Sequence, residues 1–264
     1  MDVIVANARR PRGAFGAIAL QLFLLAGPAA ADAIATIDRV RGSIVAIGTY
    51  ERTRTPPFQF RGTGFAVGDG TLIATYVHVL PGSVDPARME VIAILMPAPG
   101  KDQSQIREAK RLSTDPDTDL ALLKIDGPAL PALKFRESDS VKEGQSVMFT
   151  GFPIGTILGP HPATHRGMIA AISPIAIPQG RSNELDAQVI RRLTSGAYPV
   201  FQLDATAYPG NSGSPVYDPE TGEVIGIVNM VFVKGTKEAA LTQPSGITYA
   251  VPSKHLKTLV DKAR

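Results

Sequence analysis

Three side chains in this sequence have the types that nucleophilic acyl chemistry needs, each in a local setting suited to it. The densest setting runs from Asp204 to Val216 and centres on Pro209-Gly210-Asn211-Ser212-Gly213-Ser214-Pro215. A serine hydroxyl is a weak nucleophile at its free pKa. It needs an adjacent base, an exposed turn and hydrogen-bond donors for the oxyanion. Gly210 and Gly213 allow a tight turn whose backbone N–H groups aim at one point. The same letters also read as an ordinary Gly/Asn/Ser turn between strands. His78 ends the apolar run Leu72-Ile73-Ala74-Thr75-Tyr76-Val77, where a base can project into a cleft or sit satisfied in a core. Asp119 opens Leu120-Ala121-Leu122-Leu123-Lys124-Ile125, and a carboxylate at the mouth of a buried strand is costly unless an N–H such as that of an imidazole bonds it. Asp115 and Asp117, just before it, read as turn residues.

The elements that must position these groups are short β-branched runs separated by Gly, Pro, Asp or Asn. They are 43–48, 64–67, 71–75, 90–96, 120–125, 146–151, 168–172, 199–203, 215–217, 224–233 and 247–251. Such spacing predicts an all-β sandwich or barrel. Long helical periodicity is missing, which disfavours a doubly wound α/β fold. Two helices are expected. One starts at a capping Ser253, with Leu256, Leu259 and Val260 on its apolar face; the other covers Asn183 to Leu193. The Pro-bearing stretch Asp126 to Ser140 is the best internal linker, and it divides the chain into two halves of similar size.

The order His78, Asp119, Ser212 differs from that of subtilisins and of α/β-hydrolases and matches the chymotrypsin type. The words around the three residues resemble trypsin-like serine proteases, specifically the HtrA-type branch. They are Gly62-Thr63-Gly64-Phe65, Thr75-Tyr76-Val77-His78-Val79, Thr118 to Lys124, and Asp204-Ala205 leading to Pro209 through Gly213. Weaker echoes are Gly151-Phe152-Pro153, Arg166 to Ile169, Gly226 to Asn229 and Gly246 to Pro252. The resemblance implies two six-stranded antiparallel β-barrels with a C-terminal helix and an active site between them. The domains expected are an export signal at 1–33, an N-terminal barrel at 34–135, and a C-terminal barrel with the terminal helix at 136–264.

By the same resemblance, His78 is general base and then acid, Asp119 orients it, and Ser212 attacks the scissile carbonyl. The backbone of Gly210, Asn211 and Ser212 forms the oxyanion hole, the edge Val228-Asn229-Met230 pairs with substrate, and Thr206 lies at the base of the specificity pocket. With no acid at Thr206, a small or medium apolar side chain is the expected preference; a glutamate stays open, because His165 and Thr206 can bind a carboxylate. Ser214 stands where HtrA-type enzymes usually have glycine and is closer to glutamyl endopeptidases. The thirteen residues after Val251 leave no room for the PDZ domain typical of the branch. The excursion Pro174 to Tyr198 either gates the cleft or covers a barrel edge.

Composition narrows the rest. The 264 residues contain 27 basic and 24 acidic side chains and no cysteine. That excludes disulfides, thiolate metal sites and thiol nucleophiles. Arg9, Arg10 and Arg12 precede an apolar stretch from Ala14 to Leu25 and a small-residue region from Pro28 to Ala33, which reads as an export signal. The competing reading is an uncleaved anchor, but the stretch is shorter than the roughly 20 residues of a membrane span. Cleavage after Ala31 removes three arginines and Asp2, so the charge falls to 3 − (3 − 1) = +1. Nucleic acid is therefore not an expected partner. His161 lies between Pro160 and Pro162, so with His165 it does not form a helical metal pair. His255 is expected at the surface of the terminal helix. The expectation is a periplasmic or secreted serine endopeptidase that needs no cofactor or metal and acts on polypeptides, unfolded proteins among them. The alternatives are a catalytically silent domain of the same fold acting as a binding or chaperone-like module, and an ester hydrolase.

Overall fold

Strand β1 (Ile44–Tyr50) is buried along nearly its whole length because both edges are paired, with β2 (Phe58–Val67) and with β4 (Val91–Met96). With β3 (Leu72–Tyr76), β5 (Gln105–Asp115) and β6 (Leu120–Ile125) they close a barrel in the order β1-β2-β3-β6-β5-β4. The second barrel comprises β7 (Ser146–Gly151), β8 (Ala163–Pro174), β9 (Pro199–Asp204), β10 (Pro215–Tyr217), β11 (Val224–Asn229) and β12 (Ile247–Pro252). Its order, β10-β11-β12-β9-β8-β7, repeats the first barrel's topology without repeating its sequence. The coordinates are a computed structural model, and the structure describes residues 33–96, 104–155, 159, 161–174, 198–229 and 246–263. The export segment to residue 32, the helix expected over Asn183 to Leu193, most of the excursion around it, and Met230 lie outside the described residues.

The all-β expectation and the two six-stranded barrels hold. Strand β5 escapes the sequence pattern because only Ala109 of its eleven residues is buried. Helix α1 (Ala33–Arg41) was also not expected. It begins at the last residue assigned to the export segment and lies on the second barrel's β10–β11 turn, where Thr36 and Arg39 donate to the carbonyls of Glu220 and Thr221. Helix α2 (Ser253–Lys262) buries Leu256, Leu259 and Val260 as expected. Ser253, however, is not its cap: the hydroxyl donates to the Arg136 carbonyl at 3.1 Å and ties the helix to the interbarrel linker. His255 is half-buried against the Tyr198 ring rather than at the surface, with ring centroids 4.9 Å apart.

Period-two alternation sends neighbouring side chains to different cores. On β7, Val147 and Phe149 enter the second barrel's interior, while Met148 joins a larger core that fills the first barrel and continues into the interface with Phe152, Tyr217 and Ile227. The linker runs along both barrels. Leu130 and Leu133 donate to the carbonyls of Gly70 and Ala66, and Arg136 donates to Val224. Arg136 also meets Asp218 at 2.6 Å, the carboxylate that organises the turn at Glu220 and Thr221.

The tightest joint between the barrels is Thr63 on β2. Its N–H donates to the Ser212 carbonyl at 2.9 Å and its hydroxyl to the Gly210 carbonyl at 2.7 Å. The hydroxyl also accepts from Phe152 N–H at 3.1 Å, and the Thr63 carbonyl accepts from the Thr75 hydroxyl at 2.8 Å. Thr63→Val keeps the shape and strands two buried backbone groups. The expected cost is about 1–3 kcal/mol in urea denaturation, with Thr63→Ser milder. A second outcome concerns pH. His165 on β8 stacks on Phe149 at 4.7 Å with Nε2 buried and unbonded, and burial holds its pKa below that of a free imidazole. The unfolded chain therefore binds a proton there that the folded chain does not. Stability falls as pH drops below about 6.5 toward the folded value. His255 is depressed by burial and then by Lys254, and it acts in the same direction. The fall of Tm on acidification should be shallower in His165→Asn than in the parent, and an identical slope refutes the assignment.

Candidate active site

His78 and Asp119 come from the ends of adjacent strands. β3 pairs with β6 so that Tyr76 faces Leu120, and a single 3-10 turn (Val77–Val79) then carries His78 over the barrel rim. Asp119 precedes β6 with φ +63°, a left-handed conformation that aspartate tolerates better than most residues. Its carbonyl accepts from Val77 N–H at 2.7 Å, so the histidine turn and the aspartate are fastened by backbone before their side chains meet. His78 Nδ1 lies 2.5 Å from Asp119 Oδ2. A carboxylate only accepts, so Nδ1 carries the proton and Nε2 is left as the basic nitrogen. The carboxylate is 2% exposed against 27% for the imidazole. The carboxylate end of the pair is thus shielded from water more completely than the imidazole end. Nε2 itself is buried and makes no hydrogen bond. Asp115 and Asp117 are turn residues: the Asp115 carboxylate accepts from Asp117 N–H and from the Thr118 hydroxyl.

The Ser212 loop is set by where its carbonyls are pinned. In a trans peptide, C=O and the following N–H point in opposite directions. The Pro209 carbonyl accepts from Ile154 N–H at 2.7 Å, which turns Gly210 N–H the other way. The Gly210 carbonyl is held by Thr63, and Asn211 N–H correspondingly donates back to the Tyr208 carbonyl at 2.9 Å. That closes a β-turn whose third residue, Gly210, has φ +102°, as a type II turn requires. The Asn211 carbonyl accepts from Ser214 N–H at 3.0 Å, directing Ser212 N–H oppositely. Of the three residues expected around an oxyanion, Asn211 has its N–H committed to the turn. A side chain on Gly210 would collide with the Phe152 carbonyl, and one on Gly213 with the Thr63 carbonyl.

The loop also carries a cost. Ile154 has φ +50°, unusual for a β-branched residue. The Asn211 amide and the Ser214 hydroxyl are buried without hydrogen bonds. Ser214 fits only because residue 151 is glycine, whose added Cβ would collide with its Oγ.

Of the residues expected to meet substrate, Val228 is used otherwise. Its N–H donates to the Ser214 carbonyl at 2.9 Å, its carbonyl accepts from Gly213 N–H at 3.0 Å, and its side chain lies in the second barrel's core. An edge on β11 therefore begins at Asn229, which is fully buried and paired with Tyr249 of β12. Thr206 is partly exposed between buried Ala205 and Ala207, in a segment tied to β12 by the Thr248 hydroxyl on the Ala205 carbonyl at 2.6 Å. His165 has its ring 6.2 Å from that of Tyr208. Sequence reading missed Thr63, Ile154 and Phe152 as supports. The Gly62-Thr63-Gly64-Phe65 word was visible, but nothing local says that its threonine bonds a loop 147 positions away. Among the described residues no group of three or more His, Asp or Glu side chains is gathered that could hold a metal ion, and no helix is long and apolar enough to cross a membrane.

Residues 62–227 match the model of the trypsin-like peptidase domain. A probable periplasmic serine endoprotease, DegP-like, of Marinomonas is 32% identical over 203 residues, covering 77% of this chain and 35% of the relative. A protein of the same description from Pseudomonas putida is 30% identical over 202 residues, covering 76% and 36%. The chain thus spans about a third of the length of these relatives. The fold is shared with the HtrA-type protease AlgW solved with a decapeptide, at TM-score 0.61 and 21% identity, covering 88% of this chain and 67% of that one. AlgW with a tripeptide aligns at TM-score 0.59 and 23% identity, covering 87% and 62%. With both barrels and the site's elements accounted for, the chain belongs to the trypsin-like peptidase domain family and resembles its HtrA-type branch.

Proposed function

We propose that this chain is a periplasmic serine endopeptidase that cleaves polypeptides through His78, Asp119 and Ser212. The observation that carries the reading is the His78–Asp119 bond of 2.5 Å, which keeps the proton on Nδ1 and leaves Nε2 as a base. Nε2 takes the proton of Ser212 Oγ as the oxygen attacks the scissile carbonyl, and Asp119 stabilises the imidazolium that forms. The Gly210 and Ser212 N–H groups face the developing oxyanion, each worth about 3 kcal/mol in such sites. The imidazolium then protonates the leaving amine, and water attacks the acyl-enzyme with His78 again as base. Substrate backbone adds to the β11 edge at Asn229. Thr206 lines the pocket for the residue before the scissile bond, with a small or medium apolar side chain preferred. Residues 1–33 direct export, as the descriptions of the DegP-like relatives as periplasmic would require.

A fluorophosphonate should label the folded parent chain on Ser212 and should not label Ser212→Ala. Asp119→Asn keeps the shape but permits the wrong tautomer, and kcat should fall by about 10⁴-fold with little change in KM. Casein cleavage lost in Ser212→Ala separates an endopeptidase from an ester hydrolase. A folded parent that resists the label would instead support the silent binding module. The cleavage-site profile on a denatured protein tests the apolar preference.

A further inference from the structure

A single hydrogen bond fixes a point on an imidazole but not the plane of the ring. The bond from His78 Nδ1 to Asp119 leaves the ring free to turn about that axis, and Nε2 makes no bond of its own. Something else must hold the face of the ring if Nε2 is to point steadily at one place. The group lying against it is Tyr76. The two rings are stacked, with centroids 5.2 Å apart and planes 23° from parallel.

Tyr76 is the last residue of β3 and is fully buried. A buried phenol is costly unless its hydroxyl is bonded, and this one donates to the Ile227 carbonyl at 3.0 Å. Ile227 belongs to β11, in the other barrel. The next residue, Val228, exchanges the two backbone bonds with Gly213 and Ser214 that hold the far side of the nucleophile loop. One side chain therefore touches the base at its ring and the nucleophile's supporting strand at its hydroxyl.

We infer that Tyr76 is a positioning residue: its ring sets the plane of the His78 imidazole, and its hydroxyl registers that plane to the strand that carries the Ser212 loop. The inference rests on the serine-protease reading above and adds to it how base and nucleophile, borne by different barrels, are kept in register. Thr63 holds the loop to the first barrel but does not touch the imidazole; Tyr76 does both. Burial raises the phenol's pKa well above its ordinary value, so the hydroxyl remains a donor at neutral pH. Phenylalanine would fill the same volume without the tether, and leucine would keep apolar contact without the flat face. The two functions of the side chain can thus be removed separately.

The test compares the full chain with Tyr76→Phe and Tyr76→Leu, each confirmed folded by circular dichroism. The first measurement is the downfield proton resonance of His78 Nδ1–H, which reports the bond to Asp119 whether or not any peptide is cleaved. The second is the rate of fluorophosphonate labelling at Ser212, with kcat and KM on a peptide. In Tyr76→Leu the resonance should broaden or disappear, and labelling and kcat should fall by about 10–100-fold with KM within about twofold, as for a reacting group misplaced by about 1 Å. Tyr76→Phe should restore most of the labelling rate and keep the resonance, broadened on warming at temperatures below its unfolding. A folded Tyr76→Leu with the parent's resonance and labelling rate overturns the inference. If Tyr76→Leu does not fold, Tyr76→Phe decides: a resonance as sharp as the parent's on warming overturns the tether. A parent chain that does not label at all defeats the protease reading, while the resonance still decides whether Tyr76 orients His78.

Discussion

The site depends on one geometric constraint, the planarity of three successive peptide units. Pro209, Gly210 and Asn211 each have their carbonyl caught by a donor, from Ile154, Thr63 and Ser214 respectively. Each capture turns the following N–H away from its own acceptor, so the directions of all three N–H groups are set by what holds the preceding carbonyl. This is how a loop with no regular structure presents fixed dipoles, which is the requirement for stabilising charge without reorganisation at the moment of reaction. The donors come from three places in the chain. The Ser212 loop is therefore organised partly from outside, by Ile154 and Thr63, and partly from within, by Ser214, while Gly210 and Gly213 permit so tight a fold.

Division of the site between two barrels follows from the same logic. His78 and Asp119 sit at the rim of one barrel and Ser212 at the rim of the other, so their relative placement is only as good as the interface. The interface is not left to apolar packing, which is non-directional. Thr63, Tyr76 and the 126–140 linker each place a hydrogen bond across it or along it. The absence of cysteine fits this arrangement. A double barrel of this length closes enough core to hold itself, and directional bonds from Thr63 and Tyr76 add precision to it.

How much of this could be read beforehand varies with the range of the interaction concerned. Strands β6, β7 and β10 match their expected bounds, because their burial follows from their own letters. The long polar β5 does not announce itself, since pairing on both edges rather than burial makes it a strand. His78 and Asp119, which meet in the structure, stand out in local words and chain order, as does the Ser212 loop. The direction of the Asn211 N–H was not legible, because a residue within such a turn can point its N–H either way and the neighbouring Gly210 carbonyl is held by Thr63. Val228 was misjudged for a related reason: its side of β11 is occupied by the nucleophile loop. Ser253 looked like a cap, and a capping hydroxyl differs from a linker-binding one only in what lies beside it.

The places where local preference is violated are informative about what holds them. Asp119 at φ +63° and Ile154 at φ +50° each occupy a conformation costing on the order of 1 kcal/mol or more. Each also supplies a backbone bond that the site needs, Asp119 through its carbonyl to Val77 and Ile154 through its N–H to Pro209. Each lies near a side chain fully withdrawn from solvent, Leu120 next to Asp119 and Phe152 two residues before Ile154. Relaxing either residue would release its own strain and at the same time free a peptide plane in the Ser212 loop or the histidine turn. The strain is therefore retained where rigidity is worth more than stability, with the two barrel cores covering it.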